Sequence, residues 1–151
     1  MKYGKFDVSG LKDFQKKLEQ LQDPNEFVES CAKELAARLL AKVIKRTPVG
    51  QYPKGSGKVG GTLRRGWTGS NRSSASSYVD SLTVNHSGGV YTIEIINPVE
   101  YASYVEFGHR TRNHKGWVKG RFMMTISEQE LQTIAPKVLE AKLTKYLKGV
   151  M

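Results

Sequence analysis

The residue types that most often carry chemistry are sparse in this sequence, and their spacing does not favour an active site. The histidines are His86, His109 and His114, and no acidic or cysteine residue lies between the last two. A metal site would need more ligands than this stretch offers. Cys31 falls among apolar residues, where a small core side chain is expected rather than a reactive thiol. The sequence therefore predicts no catalytic residue, no cofactor and no metal.

A phosphate-binding loop is not expected either, although Gly55-Ser56-Gly57-Lys58 has part of the required pattern. That pattern needs glycine at position 52 and serine or threonine at position 59. The sequence has Tyr52 and Val59 there, and no strongly apolar strand precedes them. The glycines of this fragment therefore indicate a loop rather than a nucleotide site.

Glu106 is the acid in the most unusual setting, because aromatic and aliphatic residues flank it and a basic segment follows. One interpretation is an exposed helix residue. The other is an ion pair with an arginine, either within the chain or across a contact between subunits.

The charge of the chain is strongly basic and unevenly distributed. The net charge is +10 over 151 residues, which favours acidic partners: nucleic acid, an anionic membrane or an acidic protein surface. No acidic residue occurs between positions 41 and 79 or between positions 107 and 127. The cations of these two segments are Lys42, Lys45, Arg46, Lys54, Lys58, Arg64, Arg65 and Arg72, then Arg110, Arg112, Lys115, Lys119 and Arg121.

Neither secretion nor membrane insertion is predicted. The single cysteine excludes an intramolecular disulfide and fits a reducing compartment. The chain has no apolar run of membrane-spanning length, and its first residues, MKYGKFDVSG, lack the apolar centre of a signal peptide. We therefore expect a protein that is made and kept in the cytoplasm until it assembles or is released by lysis.

Apolar residues at helical spacing predict two helices in the N-terminal half. The first covers residues 9 to 22, and the second runs from Pro24 to about Arg46. Asp23 suits the N-cap of the second helix because proline follows at the first helical position, and Pro48 ends that helix. The wide apolar face of the second helix is typical of a helix that covers a sheet.

A short helix and a long one are predicted in the C-terminal half. The short one opens at Tyr101 and ends with a glycine stop at Gly108. The long one begins either near position 121 or at a capping box formed by Ser127 and Glu130. Pro136 is expected to kink or split it, because proline removes one backbone hydrogen bond.

The strands are expected at residues 62–68, 79–86, 90–97 and 117–119, with a turn at Ser87-Gly88-Gly89 and a second hairpin between the short helix and Trp117. The fold class is therefore α+β. A small, mainly antiparallel sheet is expected to pack against the two long helices within one domain, residues 1–151.

Residues 50–77 are predicted to form a mobile basic arm within that domain. The segment is rich in glycine and serine and contains only two large apolar anchors, Leu63 and Trp67. These anchors are too few to offset an ordering cost of roughly 1–2 kcal/mol per residue. We therefore expect the arm to become ordered only on assembly.

The order of short motifs resembles that of the tail-completion or head–tail joining proteins of long-tailed bacteriophages. Members of that family have a helix that ends in a K-R-T-P-V-like corner and a glycine-rich segment with leucine and arginines. A hairpin, the motif Y-x-x-Y-V-E-F-G and a loop into a phenylalanine-led helix follow. The matching residues here are 45–49, 61–65 and 101–108, with Phe122 opening the last helix.

The resemblance implies a structural protein of the virion, not an enzyme, that is assembled in the host cytoplasm. It implies a closed ring, most often a hexamer, in the neck, with the connector, a stopper or the tail tube as neighbours. The expected contact residues are Tyr101, Tyr104, Glu106, Phe107, Arg110, Arg112, Trp117, Leu63 and Trp67. The loop 109–121 as a whole is also expected to take part in the contact. Cations at Lys54, Lys58, Arg64, Arg65 and Arg72 would meet either transiting double-stranded DNA, without sequence preference, or an acidic neighbour.

A different class of function rests on charge alone. Basic segments that contain Trp67 and Trp117 are also compatible with a free-standing nucleic-acid-binding domain. A monomer that binds DNA without forming a ring would favour this alternative.

Overall fold

The computed structural model describes residues 2–5, 24–69 and 74–150. Its elements in chain order are β1 (Lys2–Lys5), α1 (Pro24–Arg46), α2 (Thr62–Gly66), α3 (Ala75–Asp80), β2 (Asn85–Ser87), β3 (Val90–Ile96), α4 (Ala102–Phe107), β4 (Gly108–Arg110), β5 (Trp117–Lys119) and α5 (Met123–Val150). The helix expected at residues 9–22, the Asp23 cap and Arg72 lie outside the described residues.

The helix α1 lies at the centre of the core and has the bounds that the sequence predicts. It contacts β3, α3 and α5. Its fully buried side chains include Leu39 and Val43, which share the core with Ile93 and Ile95 of β3 and with Met123 of α5. Two long helices that pack with small antiparallel sheets confirm the α+β class.

The larger sheet has the order β1-β3-β2 and is antiparallel throughout. Ser87 pairs with Val90 across the predicted glycine turn. The second sheet is the predicted hairpin of β4 and β5. No pattern in the sequence had indicated β1, because its four residues, KYGK, show no alternation of apolar and polar side chains.

Two of the expected strands are wrong. Residues 62–66 form the helix α2, because Leu63 and Trp67 lie four apart and a single helical turn buries both. The chain from Ala75 to Asp80 forms α3, whose first turn is capped where the Ser77 amide donates to the Ser74 hydroxyl (3.1 Å). Of the second expected strand, 79–86, only residues 85 and 86 pair with β3, together with Ser87, which was expected in the turn.

The last helix, α5, continues through Pro136, so the expected split is wrong. Apolar side chains on both sides of Pro136, including Leu131 and Leu143, pack against the core and keep both halves helical. The capping box is also wrong, because the Ser127 hydroxyl donates to the Met123 carbonyl (2.6 Å) inside the helix. The alternative start near residue 121 is correct, and a kink at Pro136 stays a prediction.

Candidate assembly surface

Glu106 caps α5 from a different element. Its side chain is 0% exposed, and it accepts hydrogen bonds from the amides of Met124 and Thr125 and from the Thr125 hydroxyl, each at 2.9 Å. First-turn amides have no acceptor within their own helix, and a negative charge is favourable at that end. Both interpretations from the sequence are therefore wrong. Glu106 is enclosed within its own chain and offers no surface to a neighbour.

The backbone just before α5 is fixed against α4 as well. The amide of Arg121 donates to a carbonyl of α4 (2.7 Å), and the amide of Phe122 donates to the Glu106 carbonyl (3.0 Å). Gly108 ends α4 with a φ of 88°, and a side chain at Gly120 would overlap the backbone between Glu106 and Gly108. The two motifs on either side of the hairpin therefore meet at its base.

The tip of this hairpin is held by its own hydrogen bonds. Within residues 111–116 the Thr111 amide donates to the Gly116 carbonyl (3.0 Å), and the Gly116 amide donates to the Thr111 hydroxyl (3.0 Å). The His114 amide donates to the Thr111 carbonyl (2.8 Å), and the Lys115 amide donates to the Asn113 side chain (3.0 Å). The hairpin is therefore fixed at both its base and its tip.

Large apolar side chains are exposed along α4 and this hairpin. Tyr101, Tyr104 and Phe107 recur every third residue, and Tyr104 is 59% exposed. The Tyr104 ring lies beside the His109 ring (centroids 5.6 Å apart), and His109 is opposite Val118 in the hairpin. Trp117 is 62% exposed. Exposed apolar residues in such number usually mark an interaction site.

Cations surround these apolar side chains. Arg110 pairs with Trp117 across the hairpin, and no cation of this segment forms an ion pair within the described part of the chain. We name this face the aromatic–basic surface. Its members are Tyr101, Tyr104, Phe107, Arg110, Arg112, Lys115, Trp117, Val118 and Lys119. Six of them were individual contact candidates from the sequence, and Lys115, Val118 and Lys119 lie in the loop 109–121, which the sequence also predicted as part of the contact.

Leu63 and Trp67, which the sequence suggested as contact residues, lie in the core of their own chain. The Trp67 indole donates to the Thr47 hydroxyl (2.8 Å), and the Arg64 guanidinium donates twice to the Thr47 carbonyl (2.7 and 3.2 Å). Asn97 donates to the Leu63 carbonyl (2.8 Å). These bonds join the K-R-T-P-V corner to the segment 61–65, so both motifs are structural.

The exposed part of the predicted arm is the loop 51–59. Every residue in it is exposed, and the backbones of Gly50 and Gly60 lie against each other at its base. Lys54 and Lys58 are therefore exposed in the single chain, whereas the Arg65 guanidinium donates to the Gly60 carbonyl (3.2 Å). Of the five cations proposed to meet DNA, Arg64 and Arg65 are used within the chain.

The three histidines do not converge on one site. His86 stacks on Tyr91 (ring centroids 4.1 Å apart), whereas His109 lies in β4 and His114 in the hairpin tip.

Within the described residues, no helix combines the length and apolar character needed to cross a membrane.

The fold is that of a small α+β protein with an exposed aromatic–basic surface. A family model described as "Bacteriophage HK97-gp10, putative tail-component" matches residues 12–108, which is more than half of the chain. The chain belongs to this family; it is a phage tail component and a structural protein of the virion, not an enzyme. Searches of curated proteins and of solved structures found no match. The matched region ends at Gly108, so most of the hairpin and all of α5 lie beyond it.

Proposed function

We propose that this tail component completes the tail and joins it to the head as a ring of identical subunits in the neck. The observation that carries the proposal is the aromatic–basic surface, a fixed apolar face on a member of a tail-component family. A rigid surface of this kind is suited to permanent assembly, because little conformational freedom is lost when a partner binds.

The proposed ring is closed and sixfold. Such a ring needs a head-to-tail contact that uses two different patches on each subunit. Sedimentation of the purified chain tests this directly, since a closed ring gives one defined oligomer whose size does not grow with concentration. A chain that stays monomeric when bound to tails would contradict the ring.

The loop 51–59 is proposed to line the path of DNA through the ring. Lys54 and Lys58 are exposed there, and no acid occurs between residues 41 and 79. Contacts to phosphates give an affinity that falls steeply with salt and ignores sequence. Replacing both lysines by alanine should flatten the salt dependence of DNA binding by the assembled ring. An unchanged slope would instead favour an acidic protein neighbour for this loop.

Electron microscopy of particles made without this chain separates joining from a different tail role. Separate heads and complete tails are the expected result. Abnormally long tail tubes would instead indicate that the protein terminates tail growth, and normal particles would contradict the proposal.

The free-standing nucleic-acid-binding domain is less well supported. Trp67, one of its two aromatic residues, is buried, and Arg64 and Arg65 are hydrogen-bonded within the chain. Size-exclusion chromatography with and without DNA tests it, since that alternative requires a monomer that shifts only on DNA.

A further inference from the structure

We propose that the aromatic–basic surface receives an acidic protein of the neck or tail, rather than DNA or a second copy of this chain. The inference rests on the proposed function and adds the chemistry of the partner.

The apolar side chains of this surface argue for a protein. Trp117, Tyr104 and Phe107 are each about half exposed or more, and aromatic residues with arginine dominate the energetic centres of protein–protein interfaces. A DNA duplex presents phosphates and sugars along its outside, so side chains such as Val118 would gain little there. DNA is therefore matched to the lysines of the loop 51–59 and not to this surface.

The charges of this surface argue for an acidic partner. The exposed cations of the hairpin have no acid among residues 107–127, and within the described residues none of them forms an ion pair. Opposite charges across an interface increase the rate of association and exclude wrong partners. A partner therefore binds this surface best if acidic side chains surround an apolar centre on its own interface.

A second copy of the chain is a poor match for the same surface. Each copy carries a net charge of +10, and the exposed acid next to the surface in sequence, Glu100, stands at its margin beside Tyr101. A symmetric contact between two copies at this face would bring like charges together, and a head-to-tail contact would need an acidic patch elsewhere on a subunit whose net charge is +10. The contact that closes the ring is then expected elsewhere on the subunit.

Tails isolated from particles made without this chain provide the probe. The labelled wild-type chain should co-sediment with them. Two variants test the surface: R110E/K119E reverses two charges, and Y104A/W117A removes two aromatic side chains. Each should bind the tails at least about tenfold more weakly than the wild type. All four side chains are exposed, so both variants should retain the thermal transition and the oligomeric state of the wild type.

The matched control is K137E/K145E, which makes the same change in net charge at exposed positions of α5. Its affinity for tails should stay within about twofold of that of the wild type, because the total charge of the chain changes but the aromatic–basic surface does not. Equal weakening by control and test variants would overturn the inference, because total charge rather than this surface would then control binding.

The remaining outcomes identify other partners. Loss of the oligomer in R110E/K119E would show that copies of the chain meet at this face, and loss of DNA retention in Y104A/W117A would assign the face to DNA. Either result overturns the inference. If the wild-type chain fails to bind the tails at all, the proposed function itself fails.

Discussion

Glu106 is the residue that connects the short helix α4 to the long helix α5. The N-terminal end of α5 has no capping side chain of its own at position 122, where a phenylalanine adopts a φ of 49°. The carboxylate of Glu106 takes that role, although it lies eighteen and nineteen residues before the Met124 and Thr125 amides that it accepts from. Burial and the nearby negative charge of Glu106 together raise the pKa of Glu128.

Replacing Glu106 by alanine should destabilise the folded chain by about 2–3 kcal/mol, because the amides of Met124 and Thr125 would lose a charged acceptor in a buried place. The midpoint of urea unfolding measures the effect. Glu100→Ala is the control, since Glu100 is exposed and an exposed change should stay within about 0.5 kcal/mol. Equal losses in both variants would show that the cap contributes nothing.

Cys31 should be unreactive in the folded chain. Burial raises the pKa of its thiol to about 11. The charge of Lys142 lowers this pKa and the charge of Glu34 raises it, but both effects are smaller than that of burial. At about pH 8 only roughly one thiol in a thousand is then ionised, and the thiolate is the reactive form. Labelling by a disulfide reagent should be slow in buffer and fast in denaturant. Equal rates in the two solutions would contradict the buried position.

At the scale of elements, ion pairs hold α1 and α5 together along their shared length. Lys142 donates to Glu34 (2.8 Å) and Lys42 donates to Glu130 (3.2 Å). Arg46 also pairs with Glu130. The pKa of Glu130 is lowered, mainly by the hydrogen bond from Lys42. Burial would raise the pKa of Glu34, but the bond and charge of Lys142 lower it.

These lowered pKa values predict a loss of stability in acid. A carboxyl whose pKa is lower in the folded chain stabilises the fold fully when the pH is above its ordinary pKa of 4.5. This stabilisation is lost as the pH falls through the pKa of the folded chain. Thermal unfolding should therefore show wild-type stability falling below about pH 4.5. The variant E34Q/E130Q should be less stable at neutral pH and should show a weaker decline.

Glu140→Gln is the control for this pH dependence, because Glu140 is an exposed acid of the same helix. Its profile should follow that of the wild type. A double variant that declines as steeply as the wild type would show that other carboxyl groups control acid stability.

At the scale of the whole molecule, the predicted arm divides into a folded part and an exposed part. Leu63 and Trp67 anchor residues 61–69 in the core, so the ordering on assembly that we expect is confined to the loop 51–59. Brief trypsin treatment of the free chain should cut after Lys54 and Lys58, while Arg64 and Arg65 resist because a helix and hydrogen bonds hold them.

The same cuts should be suppressed when the chain is part of completed tails, and mass spectrometry of the fragments distinguishes the two states. Equal cleavage of the loop in both states would mean that assembly does not cover it. Early cleavage at Arg64 or Arg65 in the free chain would contradict the anchored helix α2.

The sequence by itself determined the two long helices α1 and α5, the strand 90–96 with its glycine turn, the hairpin around Trp117 and the family. These features depend on periodicity and on turn residues that act within a few positions, such as Pro48 and Gly108. The aromatic residues of the aromatic–basic surface could also be expected from the sequence, because apolar residues in a polar, basic segment have few partners nearby in sequence.

Only the tertiary structure decided which of the signature residues face solvent. Glu106 and Trp67 are both conspicuous in sequence, yet both are buried. Their hydrogen-bond partners, Thr125 and Thr47, lie about twenty residues away in the chain, so only the folded structure brings them together. The helix α2 and the continuity of α5 through Pro136 also depend on packing against residues that are distant in sequence. Local propensity favoured other structures, and burial against distant elements contributed more free energy than propensity did.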